Sequence, residues 1–234
     1  MNISFCVPTR KRPFNMMRMF DSFIEHAAQP NKMDVIFYID DDDSAGEMGG
    51  NKLKRKYGNQ IKLLIGPRIT LSKTHTECFK LSDSELACYT GDDVCAETHG
   101  FDDVVRTHFN KYPDKILLAA PRDGYNPNTA TSGYLHRNWF NVTGHITPPF
   151  FEADQADDYL TRIAKTIGRF EWMDIMMRHY HPAAVPGVIV DETMQEKIDR
   201  GNRAGNGLMM MRQEVQDKMR WDIINLKKFI EDYK

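Results

Sequence analysis

The chain has 234 residues, with 31 Lys and Arg against 33 Asp and Glu, for a net charge of −2. That near-cancellation excludes a protein that coats nucleic acid through bulk positive charge, though not one with a local basic groove. Hydrophobic residues make up 41% and charged residues 27%, a globular composition, and no apolar run approaches the roughly 18 residues of a membrane span.

The run from Ile3 to Val7 ends at Pro8, which suits a buried strand; the stretch is too short and too soon interrupted for a signal peptide. Pro13 fits the first turn of a helix that carries Phe14, Met17, Phe20 and Ile24 at helical spacing. A second strand, from Asp34 to Ile39, runs into four consecutive acids, Asp40 to Asp43. A short basic helix from Lys52 to Tyr57 closes at Gly58, and a third strand runs from Ile61 to Ile65. Leu71 to Leu81 reads as a helix. Leu86 to Thr90 reads as a fourth strand that ends at Gly91-Asp92-Asp93. Phe101 to Tyr112 is helical, with Asp102 and Asp103 in its favourable first turn, and Ile116 to Ala120 is a fifth strand.

The second half is less regular. It offers a strand from Gly133 to Arg137, a short helix from Trp139 to Thr143 and a helix from Asp157 to Ile167. A strand from Phe170 to Met177 leads into Arg178-His179-Tyr180-His181-Pro182. Asp199 to Gly207 reads as a flexible loop, and Leu208 to Tyr233 as a terminal helix with an apolar stripe, suited to packing on its own domain, to a lid or to a homodimer contact. The expected organisation is one domain over 1–198, with 199–234 as a loop and helical extension.

Strand and helix alternate at lengths that predict an α/β fold with a mostly parallel central sheet flanked by helices. Ligands of such sheets bind at the carboxyl ends of the strands. Three polar clusters are expected there: Pro8-Thr9-Arg10, the acids Asp40 to Asp43, and Gly91-Asp92-Asp93.

Paired carboxylates at a strand end suit a hard divalent cation that completes its shell with phosphate oxygens; a solvated turn uses the same residues. Asp40 and Asp41, nearest their strand, suit hydrogen bonds from a nucleoside, while Asp42 and Asp43 read as solvated. Arg10 and the Thr9 backbone suit a nucleotide phosphate. His179 and His181, two apart, share one side of a strand and suit a metal or a phosphate. Asp157 and Asp158 at a helix start are explained by the helix dipole alone, although a general base would also be held rigidly there. Cys6, Cys78, Cys88 and Cys95 lack paired spacing and read as buried thiols of a reducing, cytoplasmic compartment.

The order of these clusters resembles the family-two glycosyltransferases and their relatives with the GT-A fold. Val7 to Pro13 looks like that family's first-strand signature, Asp40-Asp41 like its nucleoside-binding acids, and Leu71-Ser72-Lys73 like its uridine-side helix start. Gly91-Asp92-Asp93 stands where its DxD metal motif falls, without the full Asp-x-Asp. Arg137 and Gly144 fall in its acceptor-side region. Asp157 to Arg162 is similar to its E-D-x-x-L-x-x-R segment, with Asp157 in the place of Glu. His179 to Pro182 followed by Asp191-Glu192-Thr193 also looks like small bacteriophage-encoded glycosyltransferase-like proteins.

The resemblance implies sugar transfer from a nucleoside diphosphate sugar, a UDP-sugar first, to a hydroxyl, with Mn²⁺ or Mg²⁺ and with inversion. It implies Asp93 as first metal ligand, Asp92 on the ribose or the ion, and His181 as the next contact with His179 as its alternative. Pro8, Thr9, Arg10, Asp40, Asp41 and Lys73 would line the nucleotide. Asp158 would be the base, with Asp157 or Asp154 orienting it. Trp139 and Trp172 would be platforms for sugar or base. The phage likeness suggests a hydroxymethylated base in DNA as acceptor, for which Lys52 to Lys56 and Arg200 to Arg203 could track phosphates, although they read equally as a solvated helix face and loop; glycan and protein acceptors stay open. A nucleotidyltransferase would instead carry a Gly-rich loop after the first strand, and Pro8 to Pro13 has none. A binding module that keeps the fold without turnover is the non-enzymatic alternative.

Overall fold

A computed structural model describes residues 1–233. Eight strands form one curled sheet: β1 (Ile3–Thr9), β2 (Met33–Asp40), β3 (Ile61–Gly66), β4 (Leu86–Tyr89), β5 (Val94–Ala96), β6 (Leu118–Arg122), β7 (Gly133–His136) and β8 (Phe170–His179). Their spatial order is β3-β2-β1-β4-β7-β6-β8-β5. The first four are parallel, as the alternating pattern predicts. Beyond β4 the sheet is mixed, because β7 runs antiparallel to both β4 and β6, and β5 runs antiparallel to β8.

The helices are α1 (Pro13–His26), α2 (Ser44–Tyr57), α3 (Leu71–Lys80), α4 (Phe101–Asn110), α5 (Arg137–Thr143), α6 (Ala156–Thr166), α7 (Glu192–Ala204), α8 (Asn206–Met209) and α9 (Gln213–Asp232). Alternation along the central strands divides the core between two faces. Phe5, Val7, Val35 and Phe37 join Met16, Phe20 and Phe23 of α1 and Phe101 and Val105 of α4 in one cluster. Cys6, Ile36, Tyr38 and Ala87 join Phe79 of α3, Leu160 of α6 and Val215 and Leu226 of α9 in the other. All four cysteines are free and buried.

Three elements differ from expectation. Helix α2 begins eight residues before Lys52, with Asp43 as its N-cap accepting a hydrogen bond from the Gly46 N–H at 2.9 Å. Asp43 is therefore buried rather than solvated. Gly49 lets α2 lie against α1, since a Cβ there would stand 2.6 Å from Pro13 Cβ. The expected flexible loop from Asp199 to Gly207 is mostly helix: α7, capped by Asp191 on the Met194 N–H at 2.8 Å, continues to Ala204. The terminal helix is broken between α8 and α9. Its buried residues Val215, Met219, Asp222 and Leu226 face the molecule's own α5 and α6, which uses the stripe expected for a dimer contact; Trp221 and Ile224 face outward. Lys234, the last residue of the expected extension, lies outside the described residues. No described helix is long and apolar enough to cross a membrane.

Candidate active site

The chain leaves β1 for α1 on one face of the sheet and enters β4 from α3 on the other, so a crevice opens between the carboxyl ends of β1 and β4. A cavity of about 620 Å³ occupies it, bounded below by the strand ends, on one side by α3 and the segment Glu152 to Asp157, and above by α7.

The Thr9 hydroxyl closes the crevice floor by donating to Asp92 Oδ2 at 2.7 Å, and Arg12 donates to Asp92 Oδ1 at 3.1 Å. Burial pushes the Asp92 carboxyl up to about 6, against the pull of Arg12 and with a further push from Asp93. Burial acts on Asp93 too, but the hydrogen bond and charge of His179, then Arg12 and Lys197, outweigh it and hold Asp93 below the usual carboxylate range. Gly91 makes room for this turn, because a Cβ there would stand 2.6 Å from Asp93 Oδ1.

Asp93 Oδ1 and His179 Nε2 are 3.3 Å apart. Two neighbouring ligands on an octahedral ion with bonds of about 2.1 Å are about 3.0 Å apart, so this carboxylate and imidazole fit Mg²⁺ or Mn²⁺. Among the described residues no group of three or more His, Cys, Asp or Glu converges on one metal-sized point. Among the described residues the protein thus offers two donors, too few to fill an octahedral shell by themselves. His179 stands beside Asp93 because β5 and β8 pair it with Val94. His181, expected as the closer ligand, also lines the cavity, with its ring 4.5 Å from that of Tyr125.

At the β2 end of the cavity, Asp40 accepts from Arg10 at 3.0 Å and lies 3.6 Å from Arg68 Nε. Burial raises the Asp40 carboxyl, with the two arginines opposing. Lys11, between Arg10 and Arg12, adopts φ 55°, and its N–H donates to Asp43 Oδ2 at 2.7 Å. A non-glycine residue in the left-handed region at a site is backbone strain held by its surroundings. Asp41 and Lys73 are exposed and do not line the cavity. The Lys73 N–H donates to the Thr70 cap of α3 at 3.2 Å.

At the far end, Asp157 lines the cavity, and burial raises its carboxyl, with Asp154 adding to the effect. Asp158, expected as the base, is outside the lining and pairs with Arg162 one turn along α6 at 2.8 Å. The helix enters through Gln155 at φ 77°, and that entry turns Asp157 rather than Asp158 toward the cavity. Pro8, Thr9, Arg10, Asp40, Asp92, Asp93, Asp157, His179 and His181 are thus brought together. Trp139 is wholly buried in the core, and Trp172 lies under the Arg122 guanidinium, so neither is a platform in the cavity. Lys52 to Lys56 form the outer turns of α2, away from the cavity.

Sequence reasoning missed Arg68, His75, Tyr125, Glu196 and Lys197. Arg68 follows Gly66-Pro67 at the end of β3, a position that the strand-end rule covers. Lys197 donates to Asp154 at 2.8 Å from α7, the helix whose second half reads as loop. Desolvation would lower the Lys197 ammonium, but Asp154, Asp93 and Asp157 raise it overall.

Solved structures share this architecture. The mannosyltransferase PcManGT from Pyrobaculum calidifontis, in complex with GDP-Man and Mn²⁺, aligns with TM-score 0.60 at 10% identity over 97% of this chain and 69% of that one. S. aureus TarS 1-349, in complex with UDP-GlcNAc, aligns with TM-score 0.57 at 12% identity over 100% of this chain and 91% of that one. The chain has the GT-A fold. A longer S. aureus TarS chain aligns with TM-score 0.54 at 10% identity, and this chain spans 35% of its length. The sequence matches no protein-family profile and no curated protein. In GT-A terms, the crevice between β1 and β4 carries the acids, and α7 covers it.

Proposed function

We propose that the chain is a glycosyltransferase that moves a sugar from a nucleoside diphosphate donor to an acceptor hydroxyl, assisted by Mn²⁺ or Mg²⁺. The observation that carries this reading is the Asp93–His179 pair in one cavity with Asp40 at one end and the half-buried acid Asp157 at the other. The GT-A fold and the nucleotide-sugar complexes of PcManGT and TarS support it.

Asp93 and His179 would hold the ion, which when bound supplies charge neutralisation for the departing diphosphate. Asp40 and Arg68 would face the base, and the Thr9–Asp92 bond would set the crevice wall beside the ribose. Asp157 would accept the proton of the acceptor hydroxyl as its oxygen bonds to the anomeric carbon and the bond to the diphosphate oxygen breaks. A base across the sugar from the leaving group gives inversion. Burial raises the Asp157 carboxyl, which makes it a stronger base than an exposed aspartate once ionised.

The deciding experiment is a thermal-shift screen of UDP-, GDP-, CMP- and dTDP-sugars, each with and without Mn²⁺. A true donor at 100 times its Kd stabilises by about 2.7 kcal/mol. A metal-dependent shift with one donor class, followed by diphosphate release on adding acceptors, is expected. The acceptor panel includes glycans and hydroxymethylated DNA, the latter testing the phage-like resemblance. No shift with any donor would refute the proposal.

A further inference from the structure

A closed ring of charges joins α7 to the nucleoside end of the cavity. Asp40 Oδ2 faces two guanidinium groups, Arg10 at 3.0 Å and Arg68 at 3.6 Å. Glu196 Oε2, on α7, faces the same two, Arg10 Nε at 3.2 Å and Arg68 at 2.8 Å. The charges alternate around four residues drawn from the ends of β1, β2 and β3 and from the helix above them. Asp42 holds Arg10 from the other side through both guanidinium NH₂ groups. Arg10 and Asp40 are only 12% and 11% exposed, so water screens this end of the ring little.

Helix α7 buries only Met194 and Gly201. Apolar packing therefore does little to place Glu196, and its ion pairs do more. The ring in turn decides what Asp40 presents. Its Oδ2 is engaged by both arginines, while its Oδ1 has no partner among the described residues, and Asp40 lines the cavity. The site offers one acceptor oxygen with guanidinium donors beside it.

That pattern matches one kind of base edge. Uracil and thymine present a single N3–H between two carbonyl oxygens. Guanine presents two adjacent donors, N1–H and the exocyclic amine, and would use both carboxylate oxygens. Cytosine turns an N3 lone pair toward the carboxylate. We propose that Glu196 is a specificity-determining positioning residue: it keeps Arg10 and Arg68 on one oxygen of Asp40 and so selects a 2,4-dioxopyrimidine in the donor nucleotide. This rests on the nucleotide-sugar reading above. A site built around such hydrogen bonds rejects a mismatched edge strongly, because its own groups would be left unpaired.

The test is calorimetric titration of the full chain with UDP, dTDP and GDP, each with Mn²⁺. Wild type is expected to bind UDP or dTDP at least about tenfold tighter than GDP, the two pyrimidine arms reporting whether a 5-methyl group is accepted. Glu196→Gln keeps the size and removes the charge, and should lower the preference over GDP by about tenfold, the worth of one charge-assisted hydrogen bond. Arg68→Gln should lower it likewise, and the double variant should lower it no further. Glu192→Gln, one turn earlier on α7 and paired with Lys11 alone among the described residues, should leave the preference intact. Equal binding of UDP and GDP by wild type, a preference that survives both single variants, or an equal loss in Glu192→Gln would each overturn the proposal and leave the glycosyltransferase reading standing. If no nucleoside diphosphate binds, both fall.

Discussion

Asp93 Oδ1 and His179 Nε2 face each other across 3.3 Å, bringing the turn after β4 to the last residue of β8. Two protein donors are too few for a closed cage, and Mg²⁺ and Mn²⁺ complete such shells with phosphate oxygens and water. Ion and nucleoside diphosphate are therefore expected to bind interdependently. Mn²⁺ alone should change the Tm little, and Mn²⁺ with the preferred nucleotide should raise it clearly. Asp93→Asn or His179→Ala should remove the Mn²⁺-dependent part of nucleotide affinity. Thermal shift across an Mn²⁺ titration, with and without nucleotide, checks this; tight Mn²⁺ binding by the nucleotide-free chain would contradict it.

Asp157 and Asp158 are neighbours with different surroundings, the first in the cavity wall and the second paired with Arg162. Asp157→Asn should lower transfer by about 10²–10⁴-fold while donor affinity stays near wild type, as removal of a general base does. Asp158→Asn should stay within about twofold of wild type, because an exposed i,i+4 pair contributes only a few tenths of a kcal/mol. Steady-state kinetics with a donor-affinity measurement separates the cases. Loss of donor binding in Asp157→Asn would move that residue from the base role to the donor site.

The same pair shows where sequence legibility ends. Successive helical residues point about 100° apart, so which acid meets a cavity depends on how the helix enters. Gln155 at φ 77° sets that entry, and its composition does not announce it. The strands β1 to β4 and the acids at their ends were legible because apolar runs and strand-end rules are local. His179 and His181 read as sharing one side of a strand, but β8 ends at His179, and only the β5–β8 register puts His179 beside Asp93. Helix α7 reads partly as loop because it is polar and contains Gly201. It is held by partners far away in sequence, such as Arg10 with Glu196, 186 residues apart. Helix α2 hides its first half behind Gly46, Gly49 and Gly50, whose missing side chains serve close packing that the sequence alone does not display.

His75, on α3 beneath the cavity, gives the fold an acid-sensitive window. Burial pushes its imidazole down to about 4, against a pull from the Thr90 carbonyl. The folded state therefore prefers neutral His75, and the unfolded chain takes up its proton first. The stability this contributes is present above pH 6.5 and is lost as pH falls to about 4. At about 1.4 kcal/mol per unit, the loss approaches roughly 3 kcal/mol. Asp92, raised to about 6, acts with opposite sign, because its folded form holds a proton more tightly as pH falls through that value. The comparison of His75→Gln with wild type isolates the histidine. Tm measured from pH 7 to pH 4 should fall less steeply in the variant, and parallel curves would refute the assignment.

Asp222, wholly buried on α9, gathers three donors from three segments. Tyr159 of α6 donates its hydroxyl at 2.7 Å, His145 lies with Nε2 at 3.0 Å, and Lys218 of α9 contacts the other oxygen. Lys218 also donates to the Thr143 carbonyl at 3.0 Å, tying α9 to the end of α5. Asp222→Ala would leave the Tyr159 hydroxyl and an ammonium without their shared partner beneath α9. Removing one member of such a buried network costs about 3–5 kcal/mol. Denaturant unfolding should register that loss. Asp222 is outside the cavity lining, so nucleotide affinity per folded molecule should be unchanged. A variant as stable as wild type would mean that apolar contacts of Val215 and Leu226 alone hold α9 in place.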